Sequence, residues 1–218
     1  MCDSEGMDHW RRSRLTALAY DSAVEREPVA RAFARVLWGA DLRRFYAAIA
    51  AAGAAAEGGR VLDVPCGGGV AFRGLTGPAE YVACDLSPFM LDRARSEARR
   101  RGVRASFVRA SVESLPYGDA VFDLCLTFFG LHCFPDPRAA LAEMARVLRP
   151  GGELRGTCLV SGAGLRQNAL IAASRAVGVF GPAEITPALL RTWLSALGLT
   201  GVTVESTGAA ALFTAHRP

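Results

Sequence analysis

The stretch VLDVPCGGGV, residues 61–70, runs from an apolar segment into three consecutive glycines. The apolar run ends on Asp63, and residues 67–69 carry no Cβ atom. Glycine adopts backbone conformations that other residues avoid, and it lets another group approach the backbone closely. The stretch therefore predicts a buried strand followed by a tight turn that lies against a ligand.

Downstream of residue 60, short β-branched runs alternate with helical segments, the clearest of which spans 87–102. Strands are predicted at 60–64, 80–86, 105–110, 121–129, 153–160, 202–206 and 211–217. Alternation of this kind predicts a parallel sheet that is covered by helices on both faces. Only four residues separate the last two runs, which predicts an antiparallel hairpin. The expected fold is α/β, a Rossmann-like three-layer sandwich with a mostly parallel seven-stranded sheet.

The domain organisation follows from the same pattern. Residues 8–57 have helical spacing, with Gly53 as a helix stop, and residues 1–57 are predicted to form an N-terminal helical cap. The apolar positions of this segment are Val29, Phe33, Val36, Leu37, Phe45 and Ile49. Residues 58–218 form the main domain. Within it, 161–187 is longer than a simple connection between strand and helix, which favours a lid or cap.

Composition excludes several classes of protein. All 25 basic residues are arginine, so Schiff-base, P-loop and kinase chemistry, each of which needs a lysine, are excluded. A net charge of +4 is too small to indicate nucleic-acid binding. Six cysteines without a CxxC pair and three separated histidines predict no metal site. No apolar run is long enough to span a bilayer and the start does not resemble a signal peptide, so a cytoplasmic protein is expected.

The glycine turn favours a cofactor other than NAD. A dinucleotide fingerprint needs glycine at its first, third and sixth positions. Gly67 and Gly69 supply two of them, but position 72 is phenylalanine. Asp63, an acid, also precedes the glycines, which suits an ammonium or sulfonium group better than a phosphate.

Four ordered blocks carry a resemblance to a known family. They are LDVPCGGG (62–69), ACDLSPFML (83–91), VRASVESLPYGDAVFDLCLTFFGLH (108–132) and ARVLRPGGEL (145–154). Over about residues 60–217 the chain resembles the class I S-adenosylmethionine-dependent methyltransferases. The most similar subgroup is the small-molecule set that includes the ubiquinone and menaquinone biosynthesis methyltransferases. The resemblance implies S-adenosylmethionine as cofactor and S-adenosylhomocysteine as product.

At the glycine turn, the resemblance implies that Asp63 orients the loop and helps to hold the amino-acid end of the cofactor. Cys66, Gly67 and Gly69 would bring backbone amides against it. Pro65 stands where the family usually has glycine. Since proline has no N–H, it cannot donate to the cofactor from this place.

At the end of the second strand, the resemblance implies that Asp85 accepts hydrogen bonds from both ribose hydroxyls, which suits a carboxylate with its two oxygens. The alternative is an acid that caps the helix beginning at Ser87. Leu86 and Met90 would pack near the adenine and ribose, or would only belong to the helix core.

For the adenine, the family often has aspartate where this chain has Ser111. Ser111 can accept one hydrogen bond and Val112 can offer its backbone. Glu113 would either replace the missing carboxylate or only begin a turn.

Three further residues are candidates for the site. Thr127, at the end of the fourth strand, is a cofactor-binding candidate. His132 would be a general base, or a structural histidine under the lid, which is the favoured reading. Tyr20 resembles the tyrosine of a YD pair that precedes the domain in this subgroup, although core packing explains it equally well.

The sequence thus predicts a methyltransferase that acts on a small, largely apolar metabolite, with no nucleic-acid partner and no membrane span. One alternative is a protein that binds S-adenosylmethionine without transferring methyl. A nicotinamide-dependent oxidoreductase is a weaker alternative because of Phe72.

Overall fold

Helices and strands alternate through most of the computed structural model, which describes residues 27–218. Tyr20 lies outside the described residues. The helices are α1 (Glu27–Trp38), α2 (Leu42–Ala55), α3 (Pro88–Arg101), α4 (Pro137–Val147), α5 (Leu165–Ala176) and α6 (Pro187–Ala196). The strands are β1 (Arg60–Asp63), β2 (Glu80–Asp85), β3 (Ala105–Arg109), β4 (Phe122–Phe128), β5 (Leu148–Leu159), β6 (Thr200–Thr207) and β7 (Ala210–His216). Short 3-10 helices occupy Val70–Gly74 and Leu131–Cys133.

The seven strands form one sheet in the order β3-β2-β1-β4-β5-β7-β6. Strands β1 to β5 are parallel to one another, and β7 is antiparallel to both β5 and β6. The predicted mostly parallel sheet with a terminal hairpin is therefore confirmed. The strand order reverses between β1 and β4, and ligands of open α/β sheets bind beyond the carboxyl ends of the strands at such a point.

An apolar core lies on each face of the sheet, which confirms the three layers. Helices α1, α2 and α3 cover one face, against which Leu124 and Leu126 of β4 point. Helices α4 and α6 cover the other face, where Cys125 of the same strand packs. This alternation follows from the two-residue period of a strand.

Helix α3 has the boundaries that its sequence predicts. The hydroxyl of Ser87 accepts a hydrogen bond from the amide of Met90 at 3.4 Å, and Pro88 occupies the first turn. Gly102 ends the helix in the left-handed conformation at φ 69°, which favours glycine.

One expectation about the helices is wrong. Gly53 does not stop a helix but lies inside α2, where it lets the helix touch the chain at Gly74. Phe33 and Val36 share the helical spacing of their segment but are 52% and 61% exposed. Helix α4 ends at Val147, and β5 begins directly after it with irregular pairing that becomes regular from residue 153.

The segment 161–187 leaves the carboxyl end of β5 and returns to it. The amide of Ser161 donates to the carbonyl oxygen of Ile185 at 2.8 Å, which closes the excursion, and α5 lies within it. Phe180 of this segment packs against Trp38 at the end of α1, with ring centroids 6.2 Å apart. The segment thus contacts the N-terminal helices, while its role as a lid stays a prediction.

None of the helices in the described part of the chain combines the length and the apolar character needed to cross a bilayer.

The contact between α2 and the 3-10 helix gives a first prediction. A Cβ atom on Gly53 would lie 1.7 Å from the carbonyl oxygen of Gly74. Gly53→Ala should therefore lower the free energy of unfolding by about 1–3 kcal/mol through overpacking, although alanine is the better helix former by about 1 kcal/mol. Gly118→Ala is the matched control, because a Cβ there meets no atom within 4 Å. Urea denaturation that gives both variants the same stability would contradict the prediction.

Candidate functional site

The glycine turn is tied to the end of β2 by its own backbone. The amide of Cys66 donates to the carbonyl oxygen of Cys84 at 2.8 Å, and the amide of Gly67 donates to Oδ2 of Asp85 at 3.0 Å. The amide of Gly69 donates back to the carbonyl oxygen of Cys66 at 2.9 Å. These three amides are engaged within the protein, and their implied role as donors to the cofactor stays a prediction.

The two flanking glycines of the turn have different reasons to be glycine. A Cβ atom on Gly69 would lie 2.6 Å from two ring carbons of Phe72, and its φ is 89°. Gly69 therefore makes room for a buried phenylalanine, and its contact with a cofactor stays a prediction. Gly67 is also left-handed, at φ 50°, but a Cβ there would meet no protein atom within 4 Å. Of these two glycines, Gly67 is the one that faces open space.

Asp85 joins the two loops that follow β1 and β2. Its Oδ2 accepts from the amide of Gly67, and its Oδ1 accepts from the amide of Ser87 at 2.8 Å. The carboxylate is 7% exposed. The helix-capping contact considered as an alternative is thus present, together with a second bond to the glycine turn. The contact of Asp85 with the ribose hydroxyls of a cofactor stays a prediction.

Asp63 lies deeper than Asp85, at the end of β1, and is 1% exposed. The hydroxyl of Tyr81 donates to its Oδ2 at 2.8 Å. Burial raises the pKa of Asp63 to about 7; the bond from Tyr81 lowers this pKa, and the nearby charge of Asp85 raises it. The contact that the structure gives Asp63 is internal, and its contact with a cofactor stays a prediction.

Pro65 and the residues after β2 complete the surroundings of the turn. The ring of Pro65 packs against Gly130, where a Cβ atom would lie 2.1 Å from its Cδ. Met90 is buried but is not part of either apolar core, whereas Leu86 is half-buried. The carbonyl oxygen of Leu86 accepts from Nε of Arg109 at 3.1 Å.

The candidates for the adenine end follow β3. The hydroxyl of Ser111 accepts from the amide of Glu113 at 3.3 Å, which forms a local turn. Oε1 of Glu113 accepts from the amide of Asp136 at 3.0 Å, so its carboxylate holds the start of α4. Of the two readings for Glu113, the structure favours the local one. Val112 is buried in the core under α4 and α6.

The end of β4 presents two unusual residues. Thr127 is fully buried, and its hydroxyl has no hydrogen-bond partner among the described residues. Phe129 has a φ of 55°, an uncommon conformation for a residue with a side chain. Its amide donates to the carbonyl oxygen of Thr157 at 2.9 Å, which fixes this conformation. Strain of this kind is concentrated at functional sites.

His132 follows in the 3-10 helix and is 7% exposed. The amide of Leu159 donates to its Nδ1 at 3.2 Å. Burial lowers the pKa of His132 to about 3, so the imidazole is neutral at physiological pH. Its ring packs edge-on against Phe180, with centroids 4.7 Å apart, and against Phe129 at 6.3 Å. These contacts favour the structural reading over a general base.

The 3-10 helix that carries His132 lies near the carboxylate of Asp85, which anchors the glycine turn. Burial raises the pKa of Cys133 to about 12, and the charge of Asp85 contributes to the rise. The residue after His132 therefore lies within electrostatic reach of Asp85. The structure thus brings Asp63, Asp85 and Gly67 into contact or close proximity and places the His132 turn on the same edge of the sheet.

Sequence reasoning missed Tyr81 and the aromatic side chains around His132. Tyr81 is the only polar side chain among the interior residues of a strand that otherwise reads as apolar, EYVACD. A buried tyrosine hydroxyl needs a partner, which was the available indication. The ring of Phe180 lies about 50 residues along the chain from His132, and no local pattern indicates that contact.

The raised pKa of Asp63 gives a prediction for stability. The folded protein holds the proton more tightly than the unfolded chain, whose pKa is near 3.8. The contribution of Asp63 is therefore favourable at low pH and is lost as pH rises from about 4 through 7, at about 1.4 kcal/mol per pKa unit. Asp63→Asn cannot ionise, so its free energy of unfolding should rise relative to that of the wild type over this range.

Urea denaturation between pH 4 and 8 measures the difference. Tyr81→Phe is the companion variant: it removes the bond that lowers the pKa, so its stability should keep falling to higher pH than that of the wild type. If the free energy of unfolding of the wild type and of Asp63→Asn changed with pH in parallel, Asp63 would not have a raised pKa in the folded protein.

The segment that builds this site is similar in sequence to known methyltransferases. Residues 62–155 match the family described as "Methyltransferase domain". A ubiquinone/menaquinone biosynthesis C-methyltransferase of Bdellovibrio bacteriovorus is 40% identical over 103 residues, which are 46% of this chain and 44% of that enzyme. A phthiotriol/phenolphthiotriol dimycocerosates methyltransferase of Mycobacterium tuberculosis is 41% identical over 98 residues, 44% of this chain and 36% of that enzyme. The matched part of the chain thus spans less than half the length of each of these relatives.

Solved structures show the same fold at low identity. A SAM-dependent methyltransferase of Thermotoga maritima superposes with a TM-score of 0.63 at 18% identity, covering 90% of this chain and 99% of that one. The [4+2]-cyclase SpnF superposes with a TM-score of 0.63 at 23% identity, covering 80% of each chain. Because a cyclase shares the fold, the fold by itself does not specify methyl transfer.

The matched segment begins just before Asp63 and contains the glycine turn, Asp85 and His132. It therefore includes the part of the chain that builds the carboxyl edge of β1, β2 and β4. Residues 62–155 thus match the methyltransferase-domain family that the sequence motifs resemble, and the chain shares its fold with the solved SAM-dependent methyltransferase.

Proposed function

We propose that this protein binds S-adenosylmethionine and transfers its methyl group to a small, largely apolar acceptor. The observation that carries the proposal is Gly67, a left-handed glycine that faces open space and is held by the carboxylate of Asp85. This arrangement lies where the strand order reverses, and within the segment that matches the methyltransferase domain. The names of the two relatives support the same activity.

The residues present fit this cofactor. The open position beside Gly67 admits a ligand close to the backbone, and Asp85 offers carboxylate oxygens for hydroxyl groups. Leu86 and Met90 provide apolar surface next to them. When bound, the cofactor supplies a methyl group that is already activated by its sulfonium.

The task left to the protein is to orient the acceptor and to exclude water. The side chains that extend from the end of β4 suit that task. The rings of Phe129 and Phe180 pack against the buried imidazole of His132, and Trp38 packs against Phe180; all three rings are half-buried. No side chain needs to remove a proton unless the acceptor is a protonated hydroxyl or acid.

Two polar side chains of the segment 161–187 form hydrogen bonds within that segment, which bears on the polarity of the acceptor. Oδ1 of Asn168 accepts from the amide of Gly162 at 2.8 Å, and the guanidinium of Arg175 donates to the hydroxyl of Ser161 at 3.0 Å. Both side chains therefore hold the segment itself together. The aromatic rings remain to contact an acceptor, which favours a compact apolar metabolite.

The proposal is tested by supplying purified protein with S-adenosylmethionine that carries a labelled methyl group, together with extracts of small organic molecules, RNA, DNA and protein. We expect label only in the small, apolar fraction. Label in bulk nucleic acid or protein would overturn the acceptor class. Calorimetry that detects no binding of S-adenosylmethionine would overturn the proposed function as a whole.

The open position at Gly67 gives a prediction with a matched control. Gly67→Ala places a methyl group in the space assigned to the cofactor and should weaken S-adenosylmethionine binding tenfold or more. Gly102→Ala carries the same backbone penalty, since its φ is 69° and its Cβ also meets no atom within 4 Å. We expect both variants to lose similar stability, about 1 kcal/mol, and only Gly67→Ala to lose affinity. Equal calorimetric affinities would place the cofactor elsewhere.

The carboxylate of Asp85 gives a second prediction for the cofactor. Asp85→Ala should weaken S-adenosylmethionine binding by about 2–4 kcal/mol, because charge-assisted bonds to two hydroxyls are lost. Asp92→Ala is the control: its carboxylate is exposed and pairs with Arg95 at 2.8 Å on the same helix. Calorimetric titration of folded Asp85→Ala that returns the wild-type affinity would remove Asp85 from the binding site.

A further inference from the structure

The imidazole of His132 has a defined tautomer. A backbone amide can only donate, so the bond from Leu159 to Nδ1 requires Nδ1 to be the acceptor. A neutral imidazole has one nitrogen that accepts and one that carries the proton. The proton of His132 is therefore on Nε2. Burial, which lowers the pKa of His132, keeps the second proton off the ring.

The other nitrogen of the ring remains accessible. Nε2 of His132 is not one of the buried side-chain atoms that lack a hydrogen-bond partner in the described part of the chain. Because Nδ1 is bonded to the amide of Leu159, the small exposed fraction of the residue includes Nε2. His132 thus presents an N–H group at the surface of a site whose other members are aromatic.

The ring is held firmly in this orientation. The 3-10 helix fixes its backbone, and the carbonyl oxygen of His132 accepts from the amide of Gly181 at 2.9 Å. Phe180 packs edge-on against the imidazole at 4.7 Å, and Phe129 packs against it at 6.3 Å. The lowered pKa of His132 is due to this burial.

We propose that His132 is a positioning residue that donates a hydrogen bond from Nε2 to an oxygen of the methyl acceptor. The acceptor class is thereby narrowed to compact apolar molecules that carry a carbonyl or phenolate oxygen. No proton is transferred in this role, so His132 does not serve as the general base. This inference rests on the proposed methyltransferase function. The tautomer of His132 is independent of that function, because it follows from the bond between Leu159 and Nδ1.

The tautomer is measured on protein without cofactor. Nitrogen NMR of histidine side chains should show Nε2 of His132 protonated and Nδ1 unprotonated, with no titration from pH 5 to 8. The resonances are assigned by their loss in His132→Gln, and the more exposed His216 serves as an internal reference. Protonation at Nδ1, or titration of His132 within this range, would overturn the proposal even if the protein is a methyltransferase.

Donation to an oxygen is measured with two isosteric probes, 2-acetylnaphthalene and 2-isopropenylnaphthalene, which differ only in C=O against C=CH2. Protein saturated with S-adenosylhomocysteine should bind the ketone about tenfold more tightly, as expected for one hydrogen bond. His132→Phe should remove this preference and leave the affinity for S-adenosylhomocysteine unchanged. Equal binding of both probes to the wild type, or a preference that persists in His132→Phe, would overturn the proposal.

Two conservative variants separate donation from a structural role. The amide nitrogen of glutamine lies near the place of Nε2, so His132→Gln should keep part of the preference for the ketone. The amide oxygen of asparagine lies near the place of Nδ1, so His132→Asn should keep the bond from Leu159 but lose the preference. If His132→Asn keeps the preference and His132→Gln loses it, the assignment of Nε2 as donor is wrong.

Discussion

The carboxylate of Asp85 is the constraint on which the site depends. It accepts one amide from the glycine turn after β1 and one from the start of α3 after β2. Two loops from neighbouring parallel strands are thereby fixed relative to each other by charge-assisted bonds, which are stronger than bonds between neutral groups. Without this carboxylate, two backbone amides close to the end of the sheet would lose their partner, and the turn at Gly67 would lose its anchor.

A second carboxylate, Asp63, lies behind the first and differs from it in environment. Asp85 is stabilised by two amides, whereas Asp63 is enclosed and bonded to the hydroxyl of Tyr81. Burial raises the pKa of Asp63 to about 7, and the nearby charge of Asp85 adds to this rise. Two acids that are close in space thus have different roles: one holds loops at the surface of the site, and the other joins two strands beneath it.

A cluster of aromatic rings from distant segments lies at the end of β4. Phe129 comes from the end of β4, Phe180 from the excursion after β5, and Trp38, which packs against Phe180, from the end of α1. His132 packs against Phe129 and Phe180 as a neutral ring with its acceptor nitrogen already bonded. Such a surface suits a reaction in which the electrophile is activated beforehand and the protein mainly orients its partner.

The sequence by itself determined the sheet, its hairpin and the location of the turn, because strand periodicity, the helix boundaries at Ser87 and Gly102, and the glycine cluster are local properties of the chain. It did not determine what each residue touches. Gly53 reads as a helix stop but is a contact point for Gly74, and Gly69 makes room for Phe72. The partner of His132 is the amide of Leu159, 27 residues away. Only the tertiary structure decides such contacts, because packing joins residues whose separation along the chain leaves no local pattern.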